Sequence, residues 1–225
     1  MIKPYIICHM MTSVDGRIDC QMTAQLEGVE AYYSTLNELK IPTTVSGRVT
    51  AELELAEPGK FVAKNAETYG KEGFSKKTDV EGYEVIVDTK GKLLWPDATN
   101  MKKPYLIVTS EQVTKEYLEY LDKQNISWIV CGKEKIDLVR ASEILATEFQ
   151  VERMGIVGGA AINTGFLDAG LLDEISILIG AGIDGRGGMP AVFDGLDMNH
   201  DLTHLKLMDV KKFNSNAVWI RYQLR

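Results

Sequence analysis

The sequence predicts an α/β fold: a mostly parallel central sheet flanked by helices, with antiparallel strands added at the carboxyl end. Three observations predict it. Between residues 83 and 170, short apolar runs alternate with stretches of helical length, as in strands joined by crossover helices. The last runs, Ile175–Ile179, Leu205–Lys211 and Ala217–Tyr222, lack helical stretches between them, which suits antiparallel strands. The chain of 225 residues is 45% hydrophobic and 25% charged, an ordinary globular balance that supports a full core.

Each element follows from local chemistry. Tyr5-Ile6-Ile7-Cys8-His9-Met10-Met11 is short and apolar and ends in the turn-forming Ser13-Val14-Asp15-Gly16, so it reads as a buried strand. Residues 28–40 read as helix, Thr43-Thr44-Val45 as a brief strand stopping at Ser46-Gly47, and residues 48–56 as a helix ended by Pro58-Gly59. Residues 59–81 are rich in Lys, Glu and Gly without apolar periodicity and predict a long loop. Strands are then expected at Tyr83–Val87, Tyr105–Val108, Ile126–Val130 and Arg153–Val157, with helices at 112–124, 136–149 and 160–170. No repeat or linker interrupts the series, and one domain over residues 1–225 is expected.

Composition also excludes functions. The net charge of −7, with acids spread along the chain, argues against a nucleic-acid binder that works by neutralising phosphates. Cys8, Cys20 and Cys131 have no CxxC spacing and no histidine in a zinc-ligand pattern, so neither a disulfide framework nor a metal site is indicated, and reduced thiols in a cytoplasmic protein are expected. The amino terminus lacks signal-peptide grammar. The longest uncharged stretch, Met154–Leu167, contains four glycines and falls short of the roughly 20 apolar residues of a membrane span. A soluble protein is expected, with no membrane partner.

The 20 glycines stand against 6 prolines and crowd the last third of the chain. Gly180-Ala181-Gly182-Ile183-Asp184-Gly185 matches GxGxxG, but a dinucleotide fingerprint needs a helix to start there, and Arg186-Gly187-Gly188-Met189-Pro190 follows instead. That run reads as a mobile turn between strands. Gly158-Gly159 has the missing context: a buried strand before it and a helix at once after it, beginning Ala160-Ala161-Ile162. Helix amino termini leave N–H groups unpaired, so a pyrophosphate can approach closely there, although tight strand-to-helix packing would also use two glycines. Ser46-Gly47-Arg48-Val49-Thr50 is a second such junction, with a guanidinium and a hydroxyl within one turn. Two anion sites suggest a ligand with two phosphate-bearing parts.

Taken together, Ser13-Val14-Asp15-Gly16-Arg17-Ile18, Gly47-Arg48-Val49-Thr50, Gly158-Gly159 and Gly165-Phe166-Leu167-Asp168-Ala169-Gly170-Leu171-Leu172-Asp173-Glu174-Ile175 resemble, in order and over nearly the whole chain, the reductase domain of riboflavin biosynthesis. The resemblance implies a dihydrofolate-reductase-like fold and NADPH-dependent hydride transfer to a ribosylaminopyrimidine phosphate. It implies that Thr12 borders the nicotinamide, that Gly47, Arg48 and Thr50 approach the pyrophosphate, and that Thr89, aided by Lys90, lies near the adenosine 2′-phosphate. It further implies that Gly158, Gly159, Ala160, Ala161 and Ile162 form the cofactor loop, and that Ser13 and Val157 face substrate. The proton would come from Asp15 or from water. Asp15 is the best carboxylate for a direct role, yet Asp-Gly is also ordinary turn chemistry. His9, on an apolar strand, reads as a packed core histidine. Relatives pair through the late strands, which implies a homodimer.

The sequence departs from the family at Val157, where members usually carry a glutamate. An apolar side chain cannot accept hydroxyl hydrogen bonds, so a different pyrimidine, a dihydropterin or another carbonyl compound stays open as substrate, as does a catalytically silent nucleotide-binding protein. The zinc deaminase half often fused to the family, with its HxE and PCxxC pattern, is absent from this sequence.

Overall fold

The structure, a computed structural model, describes residues 2–225. Its contacts divide the chain into two compact units. One comprises Pro42–Met154 with the first residues to Pro4, and the other comprises Tyr5–Ile41 and Gly155–Arg225.

The first unit holds β2 (Thr43–Gly47), α3 (Arg48–Glu54), β3 (Gly73–Ser75), β4 (Glu84–Val87), β5 (Tyr105–Thr109), α4 (Lys115–Lys123), β6 (Ser127–Val130) and α5 (Leu138–Thr147). Its strands run in the order β3-β6-β5-β4-β2. All are parallel except the edge strand β3, which pairs antiparallel with β6. β5 and β6 are buried along their whole length, which is why they read as continuous apolar runs without alternation. Trp95, Tyr117, Leu121, Ile107 and Val130 form the core between sheet and helices, and Tyr117 gives its hydroxyl to the Leu93 carbonyl while accepting from Trp95 Nε1. α4 and α5 begin on Thr114 and Asp137, whose side chains accept N–H bonds from Tyr117 and Arg140.

Residues 59–81 form the expected irregular segment, with one correction: three of its residues make β3. The rest is fastened at separate points. Phe61 N–H donates to Lys92 O, the N–H groups of Lys64 and Asn65 share Glu116 Oε2, Tyr69 N–H donates to Val113 O, and Glu72 takes Arg140 in a fork of bonds at 2.9–3.1 Å. Such point attachments leave no periodic trace in a sequence.

The second unit holds β1 (Tyr5–Thr12), α1 (Cys20–Thr23), α2 (Val29–Glu38), α6 (Ala160–Asp168), β8 (Glu174–Ile179), β9 (Leu205–Lys212) and β10 (Val218–Leu224), and β7 (Arg153–Gly158) enters it at Gly155. Strand order is β7-β1-β8-β10-β9. The antiparallel ending begins one strand later than the sequence suggests: β8 is parallel to β1, since α6 and the following turn bring the chain back, and only β10 and β9 reverse direction. The four-residue α1 has no counterpart in the sequence reading. It is closed by the Asp19 carboxylate accepting Met22 N–H, a cap too short-ranged to show as periodicity.

Burying β1 against β8 encloses polar groups, and they answer one another. Thr35 donates its one hydroxyl proton to Tyr32 O, so it accepts from His9 Nε2–H at 3.0 Å. His9 Nδ1 then accepts from the Ser176 hydroxyl at 2.9 Å, and Ser176 Oγ accepts from Trp219 Nε1 at 2.7 Å. The donor count closes only for a neutral His9 with its proton on Nε2. Tyr32 stacks on the ring at 4.8 Å. Burial pulls His9 from 6.5 down to about 4. The unfolded chain therefore takes up this proton first, so stability is intact above pH 6.5 and declines as pH falls toward 4. Unfolding in urea between pH 7 and pH 4 should show a loss of up to about 3 kcal/mol traceable to this residue, and His9→Gln, less stable at neutral pH, should lack that part of the slope.

Candidate functional site

α1, α4 and α5 are capped by side chains; α3 and α6 are not. Each of those two starts on a glycine, Gly47 and Gly159, directly after a strand, leaving the first-turn N–H groups without a side-chain partner. α2 also starts on a glycine, but for packing: at φ +94°, a Cβ on Gly28 would lie 2.5 Å from Ala217 Cβ.

In the second unit, β7 passes through Gly158 (φ +151°) and Gly159 into Ala160, Ala161 and Ile162, so the predicted glycine turn is one continuous strand-to-helix junction. The Gly158–Gly159 peptide is cis. The start of α6 is fixed from behind. Asn163, fully buried, donates from Nδ2 to Val192 O, while its Oδ1 has no partner. Thr164 Oγ1 donates to Asp194 O and accepts Asp194 N–H, both at 2.9 Å. Val157, one residue before the turn, is half-buried.

Neighbouring β1 ends at Thr12 and Ser13 follows it, both buried, where Gly180 N–H donates to Thr12 O and Val14 N–H to Gly182 O. Asp15 follows. Its Oδ1 and Oδ2 accept the N–H groups of Asp184 and Gly185, each at 3.0 Å. The Ser13 hydroxyl and those two N–H groups hold the carboxyl well below the ordinary carboxylate range. At neutral pH it is an anion and an acceptor.

In the first unit, Gly47 of β2 is level with Val87 of β4, and Val87 with Val108 of β5, so Arg48, Thr89 and Ser110 emerge at one end of the sheet. The region outside the carboxyl ends of parallel strands is where open α/β sheets bind ligands. Arg48 forms an exposed ion pair with Glu52 at 2.9 Å, one turn on, and Thr50 is half-buried beside it. The buried Ser46 hydroxyl oxygen lacks a partner. Thr89 accepts the N–H and hydroxyl of Ser110 on its carbonyl, which fixes its backbone and leaves its own side chain half-exposed, with Lys90 exposed beyond it.

Sequence reasoning missed Asp88, buried between these groups. Its Oδ2 accepts N–H from Lys92 at 2.6 Å and Leu93 at 3.1 Å, closing the turn that presents Thr89 and Lys90. Burial pushes its carboxyl up, opposed by those bonds and by Arg48. An aspartate ending a β-branched run just before Thr-Lys-Gly was the available signal. Among the described residues no group of three or more His, Cys, Asp or Glu is placed to hold a metal ion, and no helix is long and apolar enough to cross a membrane.

Each unit thus has one helix, α3 in the first and α6 in the second, that starts on an uncapped strand-to-helix turn at the end of a parallel strand, the kind of turn that binds phosphate in α/β proteins. Comparison with known proteins carries this further. The model of the RibD C-terminal domain family matches residues 4–219, and the chain belongs to that family, the pyrimidine reductases of riboflavin biosynthesis. The chain is 24% identical over 200 residues, covering 86% of this chain and 88% of the relative, to 2,5-diamino-6-ribosylamino-4(3H)-pyrimidinone 5′-phosphate reductase of Archaeoglobus fulgidus. Among solved structures it resembles a pyrimidine reductase-like protein from Corynebacterium diphtheriae, with a TM-score of 0.74, 16% identity and coverage of 99% of this chain and 92% of the other. It also resembles the riboflavin biosynthesis reductase Rib7 of Saccharomyces cerevisiae, with a TM-score of 0.64, 18% identity and coverage of 100% and 91%. The α/β fold read from the sequence is thus the fold of these reductases.

Asp88→Ala removes an acceptor from two turn N–H groups, that of Leu93 buried and that of Lys92 partly so. It should destabilise the protein by about 2–4 kcal/mol, at about 1–3 kcal/mol for groups left unsatisfied plus lost packing, as measured by chemical denaturation.

Proposed function

We propose that the chain is a single reductase domain, residues 1–225, that uses NADPH to reduce a pyrimidine-linked ribosylamine phosphate. The observation that carries this reading is the Gly158–Gly159 turn opening directly into α6 in a chain that matches the family over residues 4–219. Each unit carries a turn that fits a phosphate group: in the second, the Gly158-Gly159 turn with the unpaired N–H groups of α6, and in the first, Gly47 with the unpaired N–H groups of α3 and the orphan buried hydroxyl of Ser46.

Bound there, reduced nicotinamide supplies the hydride, and the C1′=N bond of an opened ribosylamine becomes CH–NH once one proton reaches nitrogen. The protein positions and excludes water. Gly158, Gly159, Ala160, Ala161 and Ile162 offer backbone donors to phosphate, and Gly47, Arg48 and Thr50 offer donors and a cation. Thr89 and Lys90 select a 2′-phosphate by hydroxyl and charge. Thr12 and Ser13 border the reacting end, with Val157 as an apolar substrate contact. Of the two proton sources, Asp15 and water, the occupied and strongly acidic carboxylate favours water. A dihydropterin is the second reading, favoured by Val157.

The buried, unbridged Cys8 and Cys131 suit a reducing cytoplasm. A homodimer is supported by one face of the second unit. Register places Ile175, Ile177, Ile179, Val218, Ile220, Tyr222, Val210 and Leu207 together on it. Leu207 and Val210 are each 54% exposed, and an apolar hollow of about 540 Å³ opens beside Ile175, Ile177 and Phe193. An apolar face of this kind, with Lys212 at its edge, supports pairing with a second copy.

NADPH oxidation should depend on added ribosylaminopyrimidine phosphate and exceed that with dihydrofolate, and Arg48→Ala should raise the Kd for NADPH about tenfold, the loss of one charge-assisted contact; absence of NADPH binding by calorimetry sinks the reading. In sedimentation the protein should run as a dimer, and the double change Leu207→Glu and Val210→Glu should give monomers.

A further inference from the structure

The densest glycine run, residues 180–188, is expected to be a mobile turn, but its backbone is attached at Gly180, Gly182, Asp184 and Gly185, and again just beyond it at Met189 and Pro190. Gly180 N–H donates to Thr12 O, Gly182 O accepts Val14 N–H, Arg17 Nη1 donates to Met189 O, and Pro190 O accepts Ile18 N–H. Gly180 and Gly182 are glycines because the chain lies flat on Leu26, where a Cβ would come within 2.8 and 2.5 Å. At the centre of these contacts, two consecutive N–H groups, Asp184 and Gly185, converge on the two oxygens of Asp15, with Gly185 at φ +66°. Successive N–H groups turned to one side by a left-handed residue form an anion-binding nest. Here the chain's own carboxylate fills it. Arg186 closes the far side by bonding Asp184 at 2.5 Å and pairing with Asp19 at 3.3 Å.

We infer that Asp15 is a positioning residue whose ionised carboxylate clamps the 180–190 loop beside Thr12 and Ser13. Both oxygens are committed to backbone donors, so its contribution is the placement of the loop, made through charge-assisted hydrogen bonds. This rests on the reductase reading only for the consequence in turnover; the clamp itself is a property of the folded chain. With the clamp lost, the loop samples open states, substrate binds more weakly, and proton delivery is untouched.

The test uses the whole protein. The Arg186–Gly187 bond lies in this loop, and its cleavage by trypsin follows the open population when closing is fast. Asp15→Ala should speed cleavage at that bond, followed by mass spectrometry, by at least about tenfold. Asp15→Asn, which keeps one acceptor oxygen, should fall between it and the native protein. Both should unfold cooperatively on heating. If Asp15→Ala does not fold, the Asn variant alone decides, by the same comparison with native. In turnover, Asp15→Asn should raise KM more than it lowers kcat and leave the kcat–pH profile in place. Native-like cleavage in the variants overturns the clamp. So does a collapse of kcat in Asp15→Asn with a shifted pH profile, the mark of a proton donor. A protein that binds no NADPH removes the reductase reading and leaves the cleavage result to decide the clamp.

Discussion

The second unit depends on one constraint: the polar side chains buried along the parallel β1–β8 pair have no water with which to satisfy their atoms. β1 and β8 meet this with partners from elsewhere in the unit. His9 is held neutral between Thr35 and Ser176, Trp219 completes the chain of donors, and the buried Glu174 takes Arg221 Nε at 2.6 Å and the Tyr5 hydroxyl. Asp173 accepts Ile6 N–H at the amino end of the pair and donates its own N–H back to Ile6 O. α2 and β10 are thereby tied to the β1–β8 pair. A paired interior of this kind fixes register, because sliding β8 by one residue would bring Ile175 or Ile177 opposite His9 where Ser176 now stands.

In both units the helices divide by how they begin. α1, α4 and α5 carry caps of Thr or Asp, worth about 1 kcal/mol each, and α2 starts on Gly28 because Ala217 leaves no room for a side chain. α3 and α6 forgo that stabilisation and start on bare glycine. α6 replaces the missing cap with support from its other side, where Asn163 and Thr164 grip Val192 and Asp194. The start of α6 is thus held by side-chain bonds from behind while no side chain caps its first-turn N–H groups.

Much of this was legible in the sequence. Apolar periodicity located the main strands and helices because burial dictates it residue by residue, and glycine context separated Gly158-Gly159 from the GxGxxG match because a helix follows only the first. What escaped notice depends on single contacts between distant residues. β3 is three residues with no periodicity, and α1 is one turn closed by Asp19. The parallel sense of β8 comes from the return path of the chain, which its own composition does not encode. Asp15 could be seen as a carboxylate in a turn, but its two N–H donors lie about 170 positions along the chain, and no local signal links them. Asp88 escaped for the same reason: its importance is burial.

β9 is an edge strand, exposed along nearly its whole length, and such an edge can recruit further strands without end. Its residues set a limit. Lys206, Asp209, Lys211 and Lys212 charge the strand, and the register shifts where Arg221 gives way to Tyr222 on the neighbouring β10. Charge and a bulge make strand-by-strand extension costly, while the apolar face beside them remains free to be covered once. The same hairpin therefore permits an assembly that closes on itself and discourages one that grows into a fibre.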